Sequence, residues 1–110
     1  HKIDKAEAAI DWHADAAVIE RRLRAFDSFP GASTQLDGET VKCWRGDVVP
    51  GAGAPGQVLA VSESGIVVAC GSGALRLTEL QRSGGKRLAA SAFLLGRPLV
   101  AGMVFTSPPR

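Results

Sequence analysis

Hydrophobic residues recur at helical spacing in the first quarter of the chain. Ala16, Ile19, Leu23 and Phe26 follow one another at intervals of three or four residues, which places them on one face of an amphipathic helix. This pattern predicts a helix over residues 13–26. The helix is expected to end before the Phe-Pro-Gly sequence that follows it, because proline and glycine interrupt helices.

From residue 32 onward the pattern changes to short apolar runs separated by turn-forming residues. The Asp37-Gly38 pair predicts a tight hairpin, and residues 50–56, which are only Pro, Gly and Ala, predict a loop. Strands are predicted over residues 32–36, 39–45, 57–61, 66–70 and 74–81. Short strands joined by tight turns predict an antiparallel sheet that curls into a small barrel or sandwich.

The last predicted strand of this series has an irregular hydrophobic pattern. Leu75 and Leu77 alternate with polar residues, but the next large apolar residue, Leu80, is out of phase. A β-bulge near residues 78–79 would return Leu80 to the buried face and bend the strand. A final strand is predicted over residues 100–105.

The fold class that these patterns indicate is mainly β with short N-terminal helices, arranged as a small OB-fold-like antiparallel barrel. Residues 13–110 are assigned to the barrel domain, and residues 1–12 to an inter-domain joint with a short helix. Asp4 and Glu7 have the spacing of a capping box for that first helix. Ser91 is expected to cap another short helix that runs through residue 95.

Length and charge exclude some classes of protein. A chain of 110 residues with 45% hydrophobic residues is neither a large multi-domain enzyme nor a disordered segment. Residues 1–70 contain seven basic and ten acidic side chains, whereas residues 71–110 contain six basic side chains and Glu79 alone. A basic C-terminal third is typical of a surface that faces phosphates, although a solvated face explains charge alone more simply.

The sequence contains no recognisable catalytic or metal-binding constellation. The two histidines lack companions at ligand spacing, so no metal site is predicted.

Cys43 and Cys70 are expected to be buried free thiols, and Trp12 and Trp44 are expected to lie in the core. No apolar stretch has the length of a membrane span. The residues by themselves predict a non-catalytic β-barrel domain for which nucleic-acid binding is one option.

A series of short motifs runs along the chain in a fixed order, at residues 10–12, 19–21, 24–26, 29–32, 41–44, 55–58, 65–75, 80–81, 85–87 and 93–94. Taken in this order, the motifs resemble the C-terminal domain of the methionyl-tRNA formyltransferase family. Ser28 departs from the proline that many members have before the Phe-Pro-Gly turn, which loosens that turn slightly. The resemblance implies an OB-fold barrel that follows a Rossmann-like catalytic domain, which is absent from this chain. That catalytic domain transfers a formyl group from 10-formyltetrahydrofolate to methionine on initiator tRNA.

The resemblance also implies a binding role without catalysis for this chain. No catalytic residue and no cofactor are assigned to it, and the chain by itself is expected to be inactive. The expected partners are the backbone of initiator methionyl-tRNA and the missing catalytic domain, in a cytoplasmic monomer without a membrane anchor. By position, the residues expected to contact tRNA are Lys42, Lys86 and Arg87, with Arg82 near the same surface and Lys2 and Lys5 on the entering segment.

Two alternatives remain open at this point. Folate-dependent sugar formyltransferases and formyltetrahydrofolate hydrolase-type enzymes carry related tail domains that face no tRNA, and there the basic C-terminal third would be incidental. A free-standing barrel that binds single strands would explain the basic loop, but not the helix and the Ile10-Asp11-Trp12 joint in front of it.

Overall fold

One antiparallel sheet and two helices make up the part of the chain that the computed structural model describes, residues 8–107. The strands follow the order β1-β2-β5-β4-β3, and β6 pairs with β5. The mainly β fold with short helices is therefore confirmed, whereas the short helix predicted around Asp4 lies outside the described residues. The elements are α1 (Ala16–Phe26), β1 (Ala32–Leu36), β2 (Glu39–Val49), β3 (Val58–Ser62), β4 (Gly65–Ala69), β5 (Ala74–Arg82), β6 (Leu88–Ala89) and α2 (Ala90–Gly96).

The hairpin between β1 and β2 has the predicted turn. Asp37 and Gly38 both have positive φ, 51° and 80°, as the two central residues of a type I′ turn do. Strand β2 continues four residues past its predicted end at Arg45, because beyond the bulge it pairs with β5 as far as the Val49–Ala74 pair.

The predicted bulge in β5 is confirmed, and β2 has an irregularity opposite it. Cys43 pairs with Leu80, while Arg45 pairs with Glu79, so Trp44 is the extra residue on β2. The next pair joins Gly46 to Leu77, so Thr78 is the extra residue on β5. Both shifts together bend the two central strands, and Leu77 and Leu80 are both fully buried.

Helix α1 begins at Ala16, three residues later than predicted. The residues before it are held against the turn between β4 and β5: Gly71 N–H donates to the Ala14 carbonyl at 3.0 Å, and Ala16 N–H donates to the Ser72 carbonyl at 3.0 Å. A Cβ on Gly71 would lie 1.8 Å from the His13 carbonyl oxygen, so this contact requires glycine. The predicted apolar face packs on the sheet, with Phe26 only half-buried.

The strand predicted over residues 100–105 does not form. The segment instead donates and accepts isolated hydrogen bonds at both edge strands of the sheet. Val58 N–H of β3 donates to the Met103 carbonyl at 2.8 Å, and Gln35 of β1 exchanges two hydrogen bonds with Thr106 at 2.8 and 2.9 Å. Edges β1 and β3 are thus bridged by this segment rather than paired as neighbouring strands.

Helix α2 begins two residues earlier than a Ser91 cap predicts, and Ser91 is not its cap. Ala89 occupies the N-cap position without a side-chain hydrogen bond. The two residues of β6 pair with Glu79 and Leu80 on β5, so sheet pairing fixes where the chain turns into the helix. Phe93, which is buried, then anchors the helix to the core.

The core accepts both tryptophans and both thiols, as predicted. Trp12 stacks on Phe105 with ring centroids 5.9 Å apart. Cys43 and Cys70 are free and buried; burial raises the pKa of Cys43 to about 12 and that of Cys70 to about 11. No helix in the described part of the chain is long and apolar enough to cross a membrane.

Candidate nucleic-acid interface

Trp44 is the centre of the surface where the predicted binding residues meet. The β2 irregularity leaves its ring 6% exposed, and its Nε1–H donates to Gln81 Oε1 at 3.0 Å. Gln81 Nε2 in turn donates to the Gly85 carbonyl at 2.8 Å. This relay, together with a hydrogen bond of 2.9 Å from Gly85 N–H to the Arg82 carbonyl, anchors the basic turn to the sheet.

Arg87 lies over the Trp44 ring and is held by two acidic partners. Its guanidinium carbon is 4.4 Å from the Trp44 ring centroid, within the range of a cation–π contact. Its terminal nitrogens donate to both carboxylate oxygens of Asp27 at 2.9 Å, and its Nε donates to Glu79. The hydrogen bonds that Arg87 donates, first to Asp27 and then to Glu79, raise the pKa of Arg87, and the hydrogen bond from Arg87 lowers the pKa of Asp27.

Lys42 approaches the same ring from the β1–β2 side. Its Nζ is 5.8 Å from the Trp44 ring centroid. Its stem passes Gly31, where a Cβ would lie 3.1 Å from Lys42 Cδ and 2.8 Å from Trp44 Cη2. Because Gly31 also has a φ of 84°, a position that favours glycine, the Phe-Pro-Gly turn can pack tightly against both side chains.

Lys42 and Arg82 share an open groove of about 200 Å³ beside the basic turn. Arg82 is partly neutralised there, because it donates to Glu39 at 2.9 Å and to the Gly96 carbonyl at 3.1 Å. Lys86 is exposed on the turn itself. Within residues 8–107, no carboxylate lies within 4.0 Å of Lys42 or Lys86.

The charge asymmetry of the sequence is largely balanced inside the fold. Four arginines of the C-terminal forty residues pair with carboxylates from the first half of the chain. The pairs are Arg76–Asp47, Arg82–Glu39, Arg87–Asp27 and Arg97–Asp37, at 3.2, 2.9, 2.9 and 2.9 Å. Among the predicted binding residues that lie within residues 8–107, the two without a carboxylate partner are therefore Lys42 and Lys86.

The structure thus groups four of the six predicted binding residues, and it separates those with carboxylate partners from those without. Lys42, Arg82 and Arg87 surround Trp44 and Gln81, and Lys86 lies on the adjoining turn; Lys2 and Lys5 lie outside the described residues. Together these side chains form a surface, the Trp44 patch, which consists of Lys42, Trp44, Gln81, Arg82, Lys86 and Arg87.

Sequence reasoning missed three residues of this neighbourhood. Asp27 and Gln81 hold the patch together, and Arg45, which follows Trp44 on β2, lines a groove of about 430 Å³ that also contains Asp27. The positive charge of Arg45 further lowers the pKa of Asp27. Nothing in the local sequence indicates these partnerships, because Asp27 and Arg87 are sixty residues apart.

Residues 8–107 contain no group of three or more His, Cys, Asp or Glu side chains that could hold a metal ion. His13 and Asp11, the one pair that proximity in the sequence suggests as catalytic, are both exposed, and His13 N–H donates to Asp11 Oδ1 at 3.0 Å. This is a local turn contact rather than an activated base.

Curated relatives are similar to this chain over nearly its whole length. The methionyl-tRNA formyltransferase of Paracidovorax citrulli is 57% identical over 94% of this chain and 34% of its own length. The methionyl-tRNA formyltransferase of Dechloromonas aromatica is 51% identical over 97% of this chain and 35% of its own length. The chain therefore spans about one third of the length of these relatives.

Solved structures share the fold. HypX from Aquifex aeolicus in complex with tetrahydrofolic acid matches with a TM-score of 0.71 at 23% identity, over 99% of this chain and 22% of that protein. A variant of the same protein matches with a TM-score of 0.70 at 29% identity, over 87% of this chain and 18% of that protein. The family model described as "Formyl transferase, C-terminal domain" matches residues 2–98, and this chain belongs to that family.

Proposed function

We propose that this chain is the tRNA-holding domain of a methionyl-tRNA formyltransferase. In that enzyme a formyl group passes from 10-formyltetrahydrofolate to the amino group of methionine on initiator tRNA. Support comes from relatives of that name at 51–57% identity and from the Trp44 patch, in which Lys42 lines a groove and Lys86 is exposed. The domain works in the cytoplasm as part of a monomeric enzyme with an OB-like barrel.

One observation carries the proposal for the site: Lys42 and Lys86 are the basic residues of the patch without a carboxylate within 4.0 Å in the described part of the chain. Lysines left without acidic partners are free to neutralise phosphates. Contacts of this kind hold the nucleic-acid backbone without reading its sequence. Lys2 and Lys5 add positive charge on the segment that enters the domain.

The two arginines of the patch act in different ways. Arg82 lines the groove with Lys42 and adds charge there despite its bond to Glu39. Arg87 uses three N–H groups on Asp27 and Glu79, so it contributes the shape of the surface more than its charge. This reduces the direct phosphate role predicted for Arg87 from the sequence.

Catalysis and folate binding belong to the remaining two thirds of the enzyme. The chain spans about a third of the length of its relatives, and residues 8–107 contain no group of three or more side chains that could hold a metal ion. A tail domain of another folate-dependent enzyme is less favoured, because the HypX structures match at only 22–29% identity. The isolated chain is therefore expected to bind tRNA and to lack formyltransferase activity.

A chimeric enzyme tests this function. This chain replaces the aligned C-terminal third of the Paracidovorax citrulli enzyme, and formylation of methionyl-tRNA is measured at steady state. The double change Lys42→Ala and Lys86→Ala is expected to raise the KM for tRNA several-fold with kcat nearly unchanged. The reason is that it removes interactions that stabilise the bound substrate and the transition state equally.

The matched control removes two positive charges from elsewhere. Arg21→Ala and Arg22→Ala change exposed residues of α1, and Arg22 lines a different groove from the one that contains Trp44. This control is expected to leave the KM for tRNA close to that of the parent chimera. A folded chimera without formylation, or an equal KM for both double variants, contradicts the proposal.

A further inference from the structure

The loop between α1 and β1 presents an aromatic ring next to the Trp44 patch. We propose that Phe29 is a stacking site for an unpaired nucleotide base of the bound RNA. The proposal rests on the proposed function and adds to it a ligand class, an unstacked base, that the basic residues do not recognise.

Phe29 is the one phenylalanine of the described residues whose ring is left in water. It is 72% exposed, whereas Phe93 and Phe105 are 1% exposed and Phe26 is half-buried. A large apolar ring gains free energy when it is covered. Its exposure therefore leaves a flat apolar surface that a nucleotide base could cover.

The loop that carries Phe29 is braced at both ends by the patch itself. Two residues before it, Asp27 is held by Arg87 through two hydrogen bonds of 2.9 Å. Two residues after it, Gly31 N–H donates to the Phe26 carbonyl at 3.0 Å, and its backbone packs against the Trp44 ring. Pro30 is buried. The ring is thus presented by a fixed turn, which reduces the entropy lost on binding.

The combination of an exposed aromatic ring and neighbouring free lysines matches the chemistry of a single-stranded nucleic acid. Cations track the phosphates while aromatic rings stack on the bases, and stacking accepts any base because every base has a π-face. A neutral ring releases no counterions, so its contribution does not depend on salt, unlike that of Lys42 and Lys86. This difference separates the two contributions in one experiment.

The experiment measures binding of the full 110-residue chain to initiator tRNA by fluorescence anisotropy over a series of salt concentrations. Phe29→Ala is expected to weaken binding by about 5- to 150-fold, the range for loss of one stacked base, with an unchanged slope against salt. Phe29→Trp is expected to retain binding, and Phe29→Leu, which keeps apolar area but has no π-face, is expected to lose most of it. Lys86→Ala is the control that lowers the slope.

Each other outcome overturns the inference. Equal affinity of Phe29→Ala and the parent chain removes the ring from the interface, and full affinity of Phe29→Leu shows an apolar contact without stacking. A variant that binds tRNA normally but lowers formylation in the chimera shows that the ring contacts the catalytic domain instead. Thermal melting of Phe29→Ala checks folding, which an exposed side chain is expected to leave unchanged. If the parent chain binds no tRNA even at low salt, the proposed function fails and this site fails with it; loss of the Phe29 effect alone leaves the function standing.

Discussion

A buried hydroxyl ties the segment before α1 to the sheet, and its removal has a calculable effect. Thr34 on β1 is completely buried. It accepts a hydrogen bond from Trp12 Nε1 at 2.9 Å and donates one to the Thr106 carbonyl at 2.7 Å. Thr34→Val replaces the hydroxyl with a methyl group of similar size, so the change removes both hydrogen bonds without opening a cavity.

The expected cost follows from the groups left without partners. The Thr106 carbonyl keeps a hydrogen bond of 2.8 Å from Gln35 N–H, whereas the indole N–H of Trp12, which is 2% exposed, has no other partner among the described residues. An unsatisfied buried donor costs about 1–3 kcal/mol. Thr34→Val is therefore expected to lower the free energy of unfolding by that amount, even though valine is common in strands.

Urea unfolding followed by far-UV circular dichroism measures this change as a lower midpoint at constant slope. The control repeats Thr34→Val in a Trp12→Phe background. Phenylalanine has no indole N–H, so the buried donor that Thr34→Val would leave without a partner is absent. There the same change is expected to cost less than about 0.5 kcal/mol, so that the cycle shows a coupling between the two sites. Equal costs in the two backgrounds would show that the unpaired Trp12 N–H is not the cause of the destabilisation.

Two further predictions address the start of α1 and the ion pair between Asp27 and Arg87. Gly71→Ala is expected to destabilise the chain by more than about 1 kcal/mol, because its Cβ would lie 1.8 Å from a backbone carbonyl oxygen; each kcal/mol lowers the Tm by about 4–8 °C. The control Gly96→Ala, which has open space around its Cβ, should shift the Tm little. Equal Tm values for the two variants would exclude the clash. Because the hydrogen bond from Arg87 holds the pKa of Asp27 below its usual 3.8, the stabilisation by this carboxylate is present above pH 3.8 and lost as the pH falls through the lowered value. Asp27→Asn should therefore reduce the decrease of the urea midpoint at acidic pH, measured across that pH range. An equal decrease in the variant and the parent chain would count against stabilisation by the Asp27–Arg87 ion pair.

The sequence contained the local determinants of the fold. The out-of-phase Leu80 indicated the bulge, and Asp37-Gly38 indicated the hairpin, because side-chain alternation and turn conformation depend on neighbouring residues. The strand predicted over residues 100–105 failed for a non-local reason. Its apolar residues suit a strand, but its backbone bonds to both edges of the sheet, and no local pattern specifies two partners.

The sequence predicted which basic residues lie close together, but not which of them form ion pairs. Position and charge identified Lys42 and Lys86, which the structure leaves without carboxylate partners in the described residues. The same reasoning assigned a phosphate contact to Arg87, whose pairing with Asp27 depends on how α1 packs beside β5. Phe29 belonged to a motif that predicts the end of a helix, and only the folded turn shows that its ring is exposed.

If Lys42 and Lys86 of the Trp44 patch hold a tRNA backbone, both lysines contribute to the salt dependence of tRNA binding. The equilibrium constant of the parent chain and of the Lys42→Ala, Lys86→Ala variant is measured for initiator and elongator tRNA across about 50–200 mM salt. The variant is expected to bind both tRNAs more weakly, with a slope of log K against log salt that is smaller by about two, because each lysine neutralises one phosphate in the parent chain. An unchanged slope with unchanged affinity would exclude both lysines from the tRNA interface.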